Sequence, residues 1–294
     1  MRHGIVLLPQ HRWADATPLW RRAEEYGFDH AWTYDHLSWR SLADQPWYAT
    51  IPTLTAAATV TTRIGLGLFV ASPNFRHPVP FAKELATLDD ISAGRLLIGV
   101  GSGGTGFDAF VLGQDELTAR QRHARFVEFV DDLDVLLRFE EPGSGGISFD
   151  GDWFTARSAR MVGAPAQLPR APLLVAGNGP KAIAYAASRG DGWITTGGNE
   201  EGEAQWWAGV AALARRFEDA VESAERTTPA SRTLSLDNEV RYFLRSAAAY
   251  EDAVGRAEQL GFTDVISHWP RPNGIYAGSE SVLDDIVGLL RDHG

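Results

Sequence analysis

Short apolar runs alternate with helical patterns along the whole chain. The runs are Ile5–Leu8, Ala31–Tyr34, Ile64–Ala71, Leu96–Val100, Leu173–Ala176, Trp193–Thr196, Leu234–Val240 and Asp264–His268. Strands buried on both faces read as nearly continuous apolar stretches, and strands that alternate with helices imply a parallel sheet. Eight such units predict an α/β chain closed into a (β/α)8 TIM barrel.

Between the runs, Pro18–Tyr26 has apolar residues at helical spacing, with Thr17 as N-cap, Pro18 at the first helical position and Gly27 as stop. Further helices are predicted over Val79–Ile91, Glu116–Phe139, Pro180–Ser188, Glu203–Arg226, Tyr250–Leu260 and Ser279–Arg291. The joint Glu24-Glu25-Tyr26-Gly27-Phe28-Asp29 is echoed by Glu258-Gln259-Leu260-Gly261-Phe262-Thr263-Asp264. In both, a helix ends on a glycine able to take positive φ, and an aromatic then plugs the lower rim of the barrel. The segment 141–170 breaks the rhythm, and the alternation through Ile147–Phe154 predicts a loop and β-hairpin inserted between the fourth helix and the fifth strand. A single domain over 1–294 is therefore expected, with 141–170 as an insertion.

Composition narrows the classes. A chain of 294 residues suits a barrel, which runs to about 250 residues with insertions tolerated. The net charge of −11 disfavours nucleic acid and anionic membrane as partners, and no local basic patch offsets it. The absence of cysteine excludes disulfides, thiolate nucleophiles and cysteine metal sites, so redox chemistry needs a borrowed cofactor. The apolar N-terminus is too short for a signal segment, and no run approaches the roughly 18 residues needed to span a bilayer. A cytoplasmic location is expected.

In this architecture the active site lies at the C-terminal ends of the strands, so the loops after each run carry the chemistry. Gly177-Asn178-Gly179-Pro180 opens a helix and suits an anion cradle, though an ordinary strand-to-helix turn has the same composition. Gly99-Val100-Gly101-Ser102-Gly103-Gly104 matches the dinucleotide fingerprint in its letters, but no helix opens directly from it. Two glycine-rich loops at one barrel end point to a phosphorylated or ring-shaped ligand close to the backbone. His36 follows a strand beside Asp35, which suits a proton-transfer group with an orienting carboxylate, or else a rim histidine capping a loop. Asp35, His36, His77 and His268 offer a rival metal reading, but none has the helical i, i+4 spacing, and no metal is expected. Arg76 is expected to pair with a barrel carboxylate and Pro78 to start a helix. No Gly-Xaa-Ser-Xaa-Gly elbow is present. Of ten tryptophans, Trp13, Trp39, Trp47, Trp153 and Trp269 fall in or near loops. Trp39, Trp269 and Phe107 are candidates to wall a substrate pocket, with rim packing as the alternative.

Taken in order, these loops resemble the luciferase-like monooxygenase superfamily of flavin- and F420-dependent barrel enzymes. The resemblance rests on Trp32-Thr33-Tyr34-Asp35-His36, the run Gly67–Pro78 ending in Arg76-His77-Pro78, and the stretch Leu88–Gly101. Phe149-Asp150-Gly151, Gly177–Lys181 and Asp191-Gly192-Trp193 complete it. It implies a third-strand bulge with a non-prolyl cis peptide at Phe69–Val70. It also implies a cofactor ring held by Asp35, Phe69, Val70, Ser102 and Gly103, with its phosphate at Ala176, Gly177, Asn178 and Gly179. His36 matches the acid–base position of F420-dependent dehydrogenases, and Asp35 is taken with it as catalytic. The sugar-phosphate dehydrogenases carry a glutamate, a lysine and a tryptophan where this chain has Gly104, Asn199 and Arg40, which points away from glucose-6-phosphate. Coenzyme F420 is preferred as cofactor, with hydride transfer to or from a small organic substrate. The alternatives are an FMN monooxygenase fed by a flavin reductase, a non-catalytic flavin-binding protein, and a metal-dependent barrel hydrolase. An F420-reducing enzyme and a homodimer are the partners implied.

Overall fold

The computed structural model describes residues 1–104, 106–200 and 202–291. Every predicted run forms a strand: β1 (Arg2–Val6), β2 (His30–Thr33), β3 (Gly65–Ala71), β4 (Leu96–Gly101), β7 (Leu173–Ala176), β8 (Gly192–Thr195), β9 (Ser231–Ser235) and β10 (Asp264–His268). All eight pair in parallel and close a barrel in the order β1-β2-β3-β4-β7-β8-β9-β10. β5 (Ile147–Asp150) and β6 (Thr155–Ala159) are the antiparallel hairpin of the insertion. Glu128 clamps its turn by accepting from the N–H groups of Asp152, Trp153 and Phe154.

The helices depart from the sequence reading in places. α1 spans Trp13–Tyr26 and carries Pro18 inside it, so Thr17 is not its cap; the hydroxyl of Thr17 donates to the Trp13 carbonyl instead. α2 (Thr50–Val60) was not expected, because its Ala/Thr/Leu sequence is apolar all round and shows no polar face. Its threonines satisfy themselves on backbone carbonyls, as Thr53 does on Ala49 and Thr55 on Ile51. α3 is Pro78–Ile91, with Pro78 at its start as expected. The predicted Glu116–Phe139 helix begins three residues later: α5 (Ala119–Leu137) starts at a Thr118–Gln121 capping box, and a short α4 (Phe107–Val111) precedes it. α6 (Pro180–Arg189), α7 (Glu203–Ser223) and α8 (Ala247–Gln259) follow, and the last predicted helix is broken into α9 (Ser281–Asp285) and α10 (Val287–Arg291). β9 begins earlier and stops well short of Val240, because its ladder with β10 ends at Ser235 and Asp237 turns out to cap the loop above.

The repeated joint is present at both places. Gly27 and Gly261 have φ of 103° and 78°, and the amides of Phe28 and Phe262 reach back to the carbonyls of Ala23 and Ala257. Both phenylalanines are buried.

Inside the barrel, bulk on one strand is matched by its absence on the next. A Cβ on Gly67 would lie 2.0 Å from the Trp32 ring, and one on Gly4 would lie 2.3 Å from His30. The Trp32 indole N–H can only donate, and it lies 2.6 Å from His30 Nδ1, so His30 Nε2 carries the proton that points at Asp264, 2.9 Å away. Burial pushes the Asp264 carboxyl up, but the His30 hydrogen bond and the nearby Arg2 outweigh it and hold it below the usual carboxylate range. Higher up, the peptide between Phe69 and Val70 is cis and the β3–β4 register shifts there. The Val70 side chain occupies the space that Cβ atoms on Gly99 and Gly101 would need, which accounts for two glycines of the fingerprint-like string.

Two outcomes follow. Gly99→Ala puts a methyl 2.3 Å from the Leu68 carbonyl oxygen, and a loss of about 3 kcal/mol or more is expected in urea unfolding, the upper end of overpacking costs. Glu24 accepts from the amides of Thr62, Arg63 and Ile64, and these bonds overcome the opposing effect of burial to bring its pKa from 4.5 to about 2. Its folded pKa is depressed, so its stabilisation is present above pH 4.5 and lost as pH falls toward 2. The stability gap between wild type and Glu24→Gln should therefore close over that window.

Candidate active site

The strand ends surround a cavity of about 430 Å³, within the range of small-molecule sites. Phe69, Val70 and Ile194 give it apolar walls, while Gly101, Ser102, Gly103, Gly104 and Gly177 offer a side almost without side chains. A Cβ on Gly104 would meet nothing within 4 Å, so that backbone faces open space. Gly103 has φ of 65° and cannot carry a Cβ without striking Asn74 at 2.3 Å. Asn74 itself donates to the Gly103 carbonyl and accepts from Arg125, which locks the loop after β4.

His36 lines the cavity with its side chain 13% exposed, and its Nδ1 lies 2.7 Å from Oδ2 of the fully buried Asp108. The other Asp108 oxygen accepts from the Leu37 amide at 2.7 Å. An ionised carboxylate only accepts, so Nδ1 carries a proton, and in the neutral imidazole Nε2 is the acceptor. The Trp39 ring packs 4.5 Å from the imidazole, and Trp47 donates to the His36 carbonyl.

The orienting carboxylate is thus Asp108 and not Asp35. Both residues lie beyond the end of β2, and the Asp35 carboxylate turns to a different partner from the His36 imidazole. Asp35 is buried outside the cavity lining, where both its oxygens accept from Arg76 at 2.6 and 3.1 Å. The Asp35 pairing is the barrel carboxylate contact expected of Arg76, which also meets Glu84 of α3.

Ala176, Gly177 and Asn178 line the cavity, and Gly179 sits just beyond as the N-cap of α6. The Gly177 amide is committed to the Ile194 carbonyl, and the Asn178 side chain bridges Thr195 and the Gly197 carbonyl. The groups able to meet an anion there are therefore the N–H groups of the first turn of α6. Of the aromatic candidates only Trp39 reaches the cavity. Phe107 opens α4 beside a separate depression with Phe110 and Arg122. Trp269 points away from the barrel mouth, donating to Glu280 with Arg22 over its ring. Nor do Asp35, His36, His77 and His268 converge: His77 caps α3, and among the described residues no group of three or more ligating side chains could hold a metal.

Sequence reasoning missed Asp108, Asp237 and Tyr276. Asp108 lies 72 positions from its partner; its one local signal is an acidic residue in the first turn of a short helix at the strand end. Asp237 is buried under the cavity, bonded to His268, whose Nε2 meets the Tyr34 hydroxyl at 2.8 Å. Tyr276 stacks on the His268 ring at 3.7 Å. Burial and the charge of Asp237 hold the Tyr276 hydroxyl up at about 12, so it stays protonated at neutral pH. Arg40, Asn199 and Gly104 line the same cavity, and Arg40 reaches Glu239 across its mouth at 3.5 Å.

A family model described as luciferase-like monooxygenase matches residues 1–280. An F420-dependent glucose-6-phosphate dehydrogenase of Amycolatopsis mediterranei (strain U-32) is 32% identical over 295 residues, covering 93% of this chain and 86% of the relative. An F420-dependent hydroxymycolic acid dehydrogenase of Mycobacterium tuberculosis is 33% identical over 185 residues, covering 58% of this chain and 46% of that protein. The fold is similar to an F420-dependent secondary alcohol dehydrogenase solved in complex with an F420–acetone adduct, with a TM-score of 0.81, 18% identity and 99% of both chains covered.

Removing Arg76 tests how the mouth is held. Arg76→Met strands the Asp35 carboxylate, which is 1% exposed, and a loss of about 3–5 kcal/mol is expected in urea unfolding.

Proposed function

The chain belongs to the luciferase-like monooxygenase family, and we propose that it is an F420-dependent oxidoreductase acting on a small organic alcohol or the corresponding carbonyl. The observation that carries this reading is the His36–Asp108 pair opening onto a strand-end cavity with one glycine-lined side. A planar ring needs a wall free of side chains, and Gly101, Gly103 and Gly104 supply one beside the apolar Phe69–Val70 step. The first turn of α6 would take the phosphate of the cofactor's side chain. When bound, the deazaflavin supplies the hydride acceptor or donor.

The chain's own residues manage the rest. His36 Nε2 accepts the hydroxyl proton of the alcohol, Asp108 holds the imidazole in the required tautomer, and Trp39 and Tyr34 keep water from the reacting carbon. Glucose-6-phosphate is disfavoured, because Gly104, Asn199 and Arg40 replace the side chains with which the sugar-phosphate enzymes are expected to hold it. Arg40 and Glu239 at the mouth favour a neutral substrate, since each already has a counter-charge. A separate enzyme that recycles the cofactor, and pairing of two copies of the chain, complete the proposal. No described helix is long and apolar enough to cross a membrane.

Calorimetric titration of the cofactor-free protein with F420 and FMN side by side tests the reading. F420 should bind, and secondary alcohols should then bleach its absorbance. His36→Ala should lower kcat by about 10²–10⁴-fold with F420 binding retained. Binding of FMN alone would move the chemistry to monooxygenation with a partner reductase, and binding of neither would overturn the assignment.

A further inference from the structure

Below the cavity a chain of hydrogen bonds has a direction that can be read by counting donors. Asp237 is 4% exposed, and its carboxylate accepts from the Phe243 amide at 2.9 Å, the Ser267 hydroxyl at 2.6 Å and the His268 amide at 2.7 Å. His268 Nδ1 lies 3.2 Å from the same carboxylate. An ionised carboxylate only accepts, so Nδ1 carries a proton, and in the neutral form of the ring Nε2 is a lone pair. The Tyr34 oxygen, 2.8 Å from Nε2, must then be the donor, and its hydrogen is spent. The Tyr276 hydroxyl then donates to Tyr34 over 3.3 Å, longer than the usual O–H···O range of about 2.5–3.0 Å, so a substrate oxygen at a shorter distance can take its place. Stacking on His268 fixes its ring, and both tyrosines line the cavity that His36 lines. Among the described residues the Tyr276 hydrogen has no shorter acceptor, so the site presents His36 Nε2 as an acceptor and, beside the unpartnered indole N–H of Trp39, the Tyr276 O–H as a donor.

We propose that Tyr276 is a further catalytic residue, donating its hydroxyl hydrogen to the substrate oxygen, and that Tyr34, His268 and Asp237 are positioning residues that hold it there. The proposal rests on the oxidoreductase reading and deepens it. An alcohol oxygen needs an acceptor for its hydrogen and a donor for its lone pair, and the two groups match those needs. In oxidation the C–H bond breaks with its electron pair, for which a bound deazaflavin would be the hydride acceptor. The O–H proton passes to His36 Nε2 and the C=O bond forms, with Tyr276 keeping its proton throughout. In reduction the same hydroxyl stabilises the developing alkoxide while His36 returns the proton.

Isotope-edited infrared spectroscopy of cyclohexanone labelled with ¹³C at the carbonyl, in protein saturated with oxidised F420, reads the bond without turnover. The bound carbonyl should absorb at lower wavenumber in wild type than in Tyr276→Phe, and His36→Ala should keep the wild-type position. With the best alcohol of the panel, Tyr276→Phe should lower kcat by about 100-fold with KM little changed. His268→Asn, which removes only the support, should cost less than Tyr276→Phe. Equal carbonyl positions in wild type and Tyr276→Phe, or no bound-carbonyl band, overturn the proposal. Tyr276→Phe is read at matched thermal stability; should it not fold, retention of the wild-type carbonyl position and kcat in His268→Asn overturns the support chain. The titration with F420 separates the two levels: no F420 binding is a failure of the oxidoreductase reading, whereas F420 binding with no infrared difference is a failure of this one.

Discussion

Large side chains enter this barrel at several points where the neighbouring strand gives up its own. Trp32 lies over Gly67, His30 over Gly4, and Val70 over Gly99 and Gly101. Native packing leaves no room for overlap, so each pair is a joint constraint on two strands and fixes their register. The floor is polar but satisfied, because Trp32, His30, Asp264 and Arg2 are linked end to end. Above this layer the matching loosens: a Cβ on Gly104 or Gly179 would meet nothing within 4 Å, and the cavity opens beside them.

The loops around the cavity are pinned by bonds that face away from it. Asp35 and Arg76 join the loops after β2 and β3. Asn74, Gly103 and Arg125 join those after β3 and β4 to α5, and Asn178 joins those after β7 and β8. Each tie uses a polar group that would otherwise compete for a ligand, and leaves backbone and the His36 imidazole facing inward. Such support restricts motion of the groups that must align with a reacting atom.

Much of the fold was legible because its signals are local. Buried parallel strands are apolar runs, and the Gly27-Phe28 and Gly261-Phe262 joints repeat one backbone device within a few residues. α2 was not legible, since a helix buried by small residues on most sides has no contrast to reveal its period. The site was legible to the extent that strand ends carry it: His36, Trp39 and the glycine loops came from position alone. What failed was pairing across the chain. Asp35 adjoins His36 in sequence, yet in the irregular loop after β2 it pairs with Arg76, and the true partner comes from α4. Trp269 and Phe107 failed for a related reason, since nearness to a strand end does not say which way a ring faces. Tyr276 and Asp237 belong to a network spanning 242 positions, beyond the reach of any local pattern.

The seam of the barrel joins the two ends of the chain. β1 is flanked by β2 and β10, and Arg2 meets Asp264 across 262 positions. While the chain is being made, β1 is therefore the first strand to exist and the last to gain its second neighbour. Until residues 264–268 emerge, the sheet has two open edges, at β1 and β9, each a row of unpaired backbone groups able to accept a foreign strand. Closure draws on contacts spanning about the whole barrel in sequence, 262 positions for Arg2 and Asp264, which loop-closure entropy makes slow. The charged Asp264 at the start of the closing strand discourages wrong partners in that interval, because it is stable in an apolar interior only where His30 and Arg2 wait for it.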